Sequence, residues 1–293
     1  MSQILDGKAT ADKICRELKE RLDVIRPALS DQSVQPSLVI VTSGDDAASK
    51  VYVRNKVKRC EEVGIHPIVK HFDALNIFNV YDLLAKYHTV PMIFQMPITG
   101  DVGLADIRGA VDDDLRDVDG FVDQFNVAQL ASGFAGEFAP CTPKGVMRLL
   151  REYGYNVDGK SVCIIGRSNI VGRPLSWLME QAGATVTLCH SKTPERTLYQ
   201  AVAAADVVVS ATGVRNVITM AKLLQYASWN AAGKVFIDVG MNRDENGKLC
   251  GDIDPLILQA SAAYTPVPGG VGPMTVAMLM ENVVEYYERQ VRT

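Results

Sequence analysis

The sequence predicts an α/β protein of two domains, the second of them Rossmann-like. Three observations predict it. At 293 residues the chain is long enough for two separate buried cores. Short continuous apolar runs alternate with segments of helical spacing in both halves, the signature of βαβ units and a parallel sheet. The second half opens on a glycine-containing turn, Gly166-Arg-Ser-Asn-Ile-Val-Gly172, set between an apolar run and a helical segment.

The elements follow in order. Residues 9–25 place Ile14, Leu18, Leu22 and Ile25 on one helical face. Leu38-Val39-Ile40-Val41 is a short apolar run, as expected of a buried parallel strand. The next helix carries Ser49 to Arg59 and stops at Gly64. Residues 68–72 read as a second strand, and residues 91–97 as a third, ended by Pro97. At Pro140-Cys141-Thr142-Pro143 the chain changes direction, with Thr142 as N-cap and Pro143 at the first helical position. A helix over 144–153 links the domains. The second half has strands at 162–165, 185–188, 206–210 and 234–239, and a helix over 174–182. A last helix, from Thr275 to about Arg289, is expected to return to the first domain. The predicted domains are thus 1–143, completed by 275–293, and 144–274.

Composition narrows the function. A formal net charge of −4 and the lack of a basic tract argue against nucleic-acid binding. No apolar run is long enough to cross a bilayer, and the N-terminus lacks signal-peptide and transit-peptide patterns. The six cysteines show no Cys-x-x-Cys pair, which reads as reduced thiols in a cytoplasmic protein. The four histidines form no metal-binding pattern, so no metal is expected.

Two patterns carry chemistry. Tyr52 and Lys56 stand four residues apart, so the phenol and the amine share one helix face. An amine beside an aromatic wall loses hydration, which favours its neutral, basic form. In the second half, the Gly166 turn lets backbone approach a diphosphate, while the following helix N-terminus supplies N–H donors. The next strand ends Cys189-His190-Ser191-Lys192, without the carboxylate that would bind a ribose 2′-hydroxyl. Arg167 and Ser191 suit a 2′-phosphate instead, so NADP is expected over NAD. Ser210-Ala211-Thr212-Gly213 and Asp238-Val-Gly240-Met241 end further strands beside the expected cofactor.

Taken together the chain resembles the bifunctional methylenetetrahydrofolate dehydrogenase/cyclohydrolase family. The matching stretches are Tyr52-Val-Arg-Asn-Lys56, Gln95-Met-Pro97, Asp117-Val-Asp119-Gly-Phe121 and Pro140-Cys-Thr-Pro-Lys-Gly145. They continue with Gly166-Arg-Ser168, Cys189-His-Ser-Lys-Thr193, Asp238-Val-Gly240 and Pro266-Val-Pro-Gly-Gly-Val-Gly-Pro-Met-Thr-Val276. Each is modest alone; their order and spacing make the joint match specific.

The resemblance implies an N-terminal folate-binding catalytic domain, a C-terminal NADP-binding domain and a cleft between them. It implies oxidation of 5,10-methylenetetrahydrofolate with NADP, then hydrolysis of the methenyl product to 10-formyltetrahydrofolate. Lys56 would be the acid/base, with Tyr52 packed against the folate and Gln95 holding Lys56 by a hydrogen bond. Asp119 would bind the pteridine edge. Met96 and Pro97 would line the substrate, and residues 268–275, with Pro268, Gly269, Gly270, Val271 and Thr275, would wall it. Gly166, Arg167, Ser168, His190, Ser191, Thr212, Gly213, Gly240 and Met241 would hold NADP. A homodimer is implied, and the fused formate-tetrahydrofolate ligase domain of some relatives is not expected.

Several positions depart from the family pattern. Met96-Pro-Ile-Thr99 stands where relatives commonly have Leu-Pro-Leu-Pro, and Asn126-Val-Ala128 replaces an Asn-x-Gly turn. Residues 101–116 are unusually acidic, and 225–233 are longer than usual. Two other readings compete. Short-chain reductases also use Tyr-x-x-x-Lys, but there the pair follows the nucleotide loop, whereas here it precedes it. A non-catalytic NADP sensor would have no need for Lys56, Gln95 and Asp119.

Overall fold

A computed structural model describes residues 2–111, 117–120, 138–231 and 233–292. Phe121, the Asn126-Val-Ala128 turn and residues 112–116 of the acidic stretch lie outside the described residues. The chain divides into two compact units: 12–141 with 276–293, and 1–11 with 142–275.

The first unit is built on a three-stranded parallel sheet, β2 (Ser37–Ser43) between β3 (His66–Phe72) and β4 (Met92–Phe94). Paired on both sides, β2 is the buried centre: Leu38, Val39 and Ile40 are fully enclosed, as their unbroken apolar run requires. The edge strand β3 alternates in exposure instead. β4 is shorter than the run 91–97 predicts. Its ladder ends on one bond from the Gln95 N–H to the Val41 carbonyl (2.8 Å), and Pro97 offers no N–H to extend it. The core joins Val39, Val41, Met92 and Phe94 to Val80, Leu83 and Leu84 of α3 (Ile77–Lys86) and Ile107 of α4 (Leu104–Val111).

Helix α2 (Ala47–Val63) carries the Tyr52/Lys56 face. Its N-cap Asp46 accepts the Ser49 N–H (2.7 Å), and Gly64 ends it in the left-handed region at φ 92°. Residues 276–292 of the C-terminal helix are tied to this sheet. The Tyr287 hydroxyl accepts the Ser37 N–H (2.8 Å) and donates to the Ser37 carbonyl (2.9 Å), and the Tyr286 hydroxyl donates to the Thr89 carbonyl (3.0 Å).

The second unit holds a six-stranded parallel sheet in the order β1-β11-β8-β7-β5-β6. The strands are β1 (Gln3–Ile4), β5 (Ser161–Ile165), β6 (Thr185–Cys189), β7 (Val207–Ser210), β8 (Val235–Asp238) and β11 (Ala263–Tyr264). An antiparallel hairpin of β9 (Asn242–Arg243) and β10 (Leu249–Cys250) stands apart. Strand order reverses at β5, whose two neighbours are β6 and β7; this switch point is where doubly wound sheets bind ligands.

The expected division assigns the first eleven residues to the N-terminal domain. The structure puts them in the six-stranded unit, because β1 pairs with β11 and the Lys8 N–H donates to the Gly269 carbonyl (2.9 Å). The helix α5 runs Cys141–Glu152, so Thr142 is inside it and is not its N-cap. The Cys141 N–H instead faces the Asp119 carbonyl (3.4 Å), and the helix starts at Cys141, two residues upstream of the expected Pro143.

Candidate active site and dinucleotide site

In the three-stranded unit α2 turns Tyr52, Lys56 and Cys60 to one face, and exposure falls along it. Tyr52 is half-buried, Lys56 is 6% exposed, and Cys60 is fully enclosed. Burial raises the Tyr52 phenol above its ordinary range and pushes the Cys60 thiol up to about 12. The Lys56 ammonium meets Asp119, 3% exposed, at 3.2 Å from Oδ2. Two charges withdrawn from water this far are tolerated because each is the other's counter-ion.

The turn that presents Asp119 is fixed from several sides. The Asp117 carboxylate accepts the Asp119 and Gly120 N–H groups, each at 3.2 Å. Gly120 takes φ 69°, and a Cβ there would press to 2.9 Å from the Pro140 backbone. Asn282, fully buried, donates through Nδ2 to the Val118 carbonyl (2.8 Å) and the Ala139 carbonyl (3.3 Å). Asn282 is missed by sequence reasoning; its one signal is an amide inside the apolar run of the last helix.

The expected hydrogen bond from Gln95 to Lys56 is corrected. Gln95 Nε2 donates to the Met96 carbonyl (2.9 Å), which also accepts the Ser49 hydroxyl (3.0 Å), and Gln95 Oε1 is a buried acceptor with no partner among the described residues. Asp119, an anion, out-competes a neutral amide for the ammonium. Met96 is half-buried and Pro97 exposed, joined by a cis peptide bond.

In the six-stranded unit the expected cofactor residues gather at the C-terminal ends of the strands. The Gly166 turn leaves β5 at φ 115°, where a Cβ would lie 2.3 Å from the Ala211 carbonyl oxygen. Helix α6 (Gly172–Gln181) starts so close to this turn that a Cβ on Gly172 would lie 1.9 Å from the Gly166 carbonyl oxygen. The two glycines therefore do what the first and last glycines of a dinucleotide fingerprint do: they permit a tight turn and a close helix start. This cradle fits a diphosphate.

Strands β5 and β6 are in register at Ile165 and Cys189, and the Gly166 N–H donates to the Cys189 carbonyl (2.9 Å). Arg167 and Ser191 thus leave adjacent strand ends, both exposed. His190 closes the β6 turn: its N–H donates to the Thr193 hydroxyl (2.9 Å), and its Nδ1 accepts the Lys192 N–H (3.1 Å). Thr212 and Gly213 follow β7, and buried Gly240 and exposed Met241 follow β8. Residues 268–275, expected as one loop, are loop only as far as Gly270. Val271 opens helix α10 (Val271–Arg292), whose first turn tolerates Pro273 because the N–H it lacks would have no helical partner. The Thr275 hydroxyl lies 3.0 Å from that of Thr142.

Among the described residues no group of three or more His, Cys, Asp or Glu side chains is arranged to hold a metal. Among the described residues no helix is long and apolar enough to cross a membrane.

Comparison with known proteins matches both units. Residues 5–119 match the tetrahydrofolate dehydrogenase/cyclohydrolase catalytic domain, and residues 140–291 match the NAD(P)-binding domain of the same family. The chain is 40% identical to a bifunctional protein FolD from Polaromonas sp., over 98% of this chain and 99% of that one. The bifunctional methylenetetrahydrofolate dehydrogenase/cyclohydrolase from Campylobacter jejuni has a similar structure, with TM-score 0.88 and 36% identity over 99% of this chain and 100% of that one. So has the Trypanosoma brucei enzyme, solved with NADP cofactor and inhibitor, with TM-score 0.86 and 28% identity over 100% of this chain and 99% of that one. With both units matched in order and nearly every residue aligned, the chain belongs to the tetrahydrofolate dehydrogenase/cyclohydrolase family.

Proposed function

We propose that this protein oxidises 5,10-methylenetetrahydrofolate to the 5,10-methenyl compound with NADP and hydrolyses that product to 10-formyltetrahydrofolate. The observation that carries the reading is the buried Lys56–Asp119 pair at 3.2 Å, beside the half-buried Tyr52. A lysine kept for structure alone has no need of an enclosed carboxylate, and replacing such a pair by apolar side chains is often neutral or stabilising.

The roles follow from charge. Bound NADP supplies the hydride acceptor. Loss of hydride leaves a cation spread over two folate nitrogens, and an ammonium beside it opposes its formation by Coulomb repulsion. Lys56 therefore gives up its proton within the cycle. As a neutral amine it takes a proton from the water that attacks the methenyl carbon, and returns one to the nitrogen that departs when the ring opens. The carbinol proton goes to solvent, which balances the hydrolysis.

Asp119 accepts two hydrogen bonds from the guanidine-like edge of the pteridine, and Tyr52 packs on the ring. Gln95 brings its buried Oε1 to the same site, with Met96 and Pro97 at its rim. For the cofactor, Gly166, Ser168 and the start of α6 take the diphosphate. Arg167, His190 and Ser191 take the 2′-phosphate, and Thr212, Gly213, Gly240 and Met241 flank the rest.

The protein acts as a cytoplasmic homodimer in one-carbon folate metabolism. Its cysteines, all free, suit a reducing compartment; the dimer rests on family likeness, and light scattering tests it. One spectrophotometric assay tests the whole reading: methylenetetrahydrofolate with NADP or NAD, followed by decay of the methenyl product. Reduction of NADP and enzyme-dependent decay are expected. Failure of either rejects that half of the proposal.

A further inference from the structure

Asp252 has no place in the reading so far, yet it is the most heavily hydrogen-bonded carboxylate of the six-stranded unit. It is fully buried. Four donors converge on Oδ2: the Ser210 hydroxyl (2.9 Å), the Thr212 N–H and hydroxyl (2.8 Å each) and the Gly213 N–H (3.3 Å). The other oxygen accepts Asn242 Nδ2 (2.9 Å). One side chain therefore grips the loop leaving β7 and the loop leaving β8.

A second carboxylate positions the first. Asp238, at the end of β8, accepts the Asp252 N–H (2.9 Å) and the Gly240 N–H (3.0 Å) on Oδ1, and the Ile253 N–H (3.0 Å) on Oδ2. Two glycines leave room for the crossing. A Cβ on Gly240 would lie 1.9 Å from Asp252 Oδ1, and one on Gly251 would lie 2.0 Å from Asp238 Oδ2. The β7 loop in turn abuts the diphosphate turn, since the Ala211 carbonyl is the atom that forbids a side chain at Gly166. A surplus of donors on one carboxylate oxygen is a means of fixing loops, because each loop conformation that leaves the site strands a buried donor or the anion.

We propose that Asp252 is a positioning residue for the dinucleotide, holding the β7 and β8 loops in the arrangement that NADP meets. The inference rests on the dehydrogenase half of the proposed function and goes beyond it. Binding of NADP is set by Asp252, whereas hydrolysis of the methenyl compound, which uses no nucleotide, is independent of it.

The test uses the full-length protein and three variants, Asp252→Ala, Asp252→Asn and Ser210→Ala, each checked for folding by circular dichroism. NADP affinity is read by isothermal titration, and methenyl hydrolysis is assayed without nucleotide. Asp252→Ala is expected to weaken NADP by at least about tenfold, and loss of the single Ser210 bond by about fivefold. Asp252→Asn keeps one oxygen for the β7 donors and should fall between the wild type and Asp252→Ala. Methenyl hydrolysis should stay within about twofold of wild type throughout. Equal losses in both readouts, or unchanged NADP affinity in a folded variant, overturn the proposal. If Asp252→Ala does not fold, the other two variants decide by the same criteria. A wild-type protein that binds NADP but does not hydrolyse the methenyl compound would reject the folate reading instead, leaving the loop-positioning claim to stand or fall on the titrations.

Discussion

Replacing Lys56 by Met tests the site most directly. Met keeps the length and the apolar stem of the lysine and removes the ammonium. Asp119, 3% exposed, then loses the counter-ion that sits 3.2 Å away. Breaking a buried pair on one side costs about 3–5 kcal/mol, because the remaining charge is stranded. A surface pair would cost under about 1 kcal/mol, so the result separates the two situations. The double variant Lys56→Met with Asp119→Leu removes both charges and should recover most of the loss. Urea unfolding by circular dichroism follows both units. Both tryptophans, Trp177 and Trp229, lie in the six-stranded unit, so their fluorescence follows that unit alone. Destabilisation should therefore appear in the dichroism transition ahead of the fluorescence one. Hydrolysis of the methenyl compound should vanish in the single variant. A loss below about 1 kcal/mol refutes the buried pair, and unchanged hydrolysis refutes the assigned role.

Three further predictions concern the other unit and the thiols. Arg167→Ala should weaken NADP much more than NAD in titrations; equal losses would place the 2′-phosphate elsewhere. Burial pushes the Asp238 carboxyl up to about 6, against three backbone N–H donors that favour its anion and with the Asp252 charge adding to the rise. Between the unfolded value near 4 and the folded one, the native state holds more protons, so Asp238's contribution to stability falls as pH rises, by on the order of 3 kcal/mol in all. Asp238→Asn should remove that slope whatever it does to absolute stability; a parallel pH profile in the variant would show that Asp238 titrates elsewhere. Finally, Cys15, Cys60, Cys141, Cys163 and Cys189 are buried, and burial pushes the Cys15 thiol up to about 11. A thiol reagent should label Cys250 quickly in the native protein and all six cysteines after denaturation. Rapid labelling of Cys60 would contradict the packing of the α2 face.

The parts of the fold that local pattern controls were legible in the sequence. An unbroken apolar run such as Leu38 to Val41 has one common explanation, a strand covered on both faces, and i,i+4 spacing places Tyr52 and Lys56 together whatever surrounds them. What escaped depended on distant partners. The strand β1 has two exposed residues and no periodicity; only its pairing with Ala263 and Tyr264 makes it a strand. Thr142 has the chemistry of a cap but is overruled by the Cys141 N–H facing the Asp119 carbonyl. Gln95 was expected to hold Lys56, and a carboxylate more than twenty residues on took that bond. Asp252 stands in a run, Cys-Gly-Asp-Ile-Asp, that looks like an ordinary polar turn. Its worth comes from four donors about forty residues earlier in the chain, which no window of sequence brings into view.

The pairing of β1 with β11 has a consequence for synthesis. Gln3 and Ile4 have no partner strand until residue 264 has been made, and Ser37 of β2 waits almost as long for Tyr287 of the C-terminal helix. Neither half can be finished as a separate batch, so a nascent chain must carry raw edges for most of its length. Contacts this far apart are slow to close, which makes the unfinished polypeptide, rather than the completed enzyme, the form most exposed to aggregation and most in need of a chaperone's shelter.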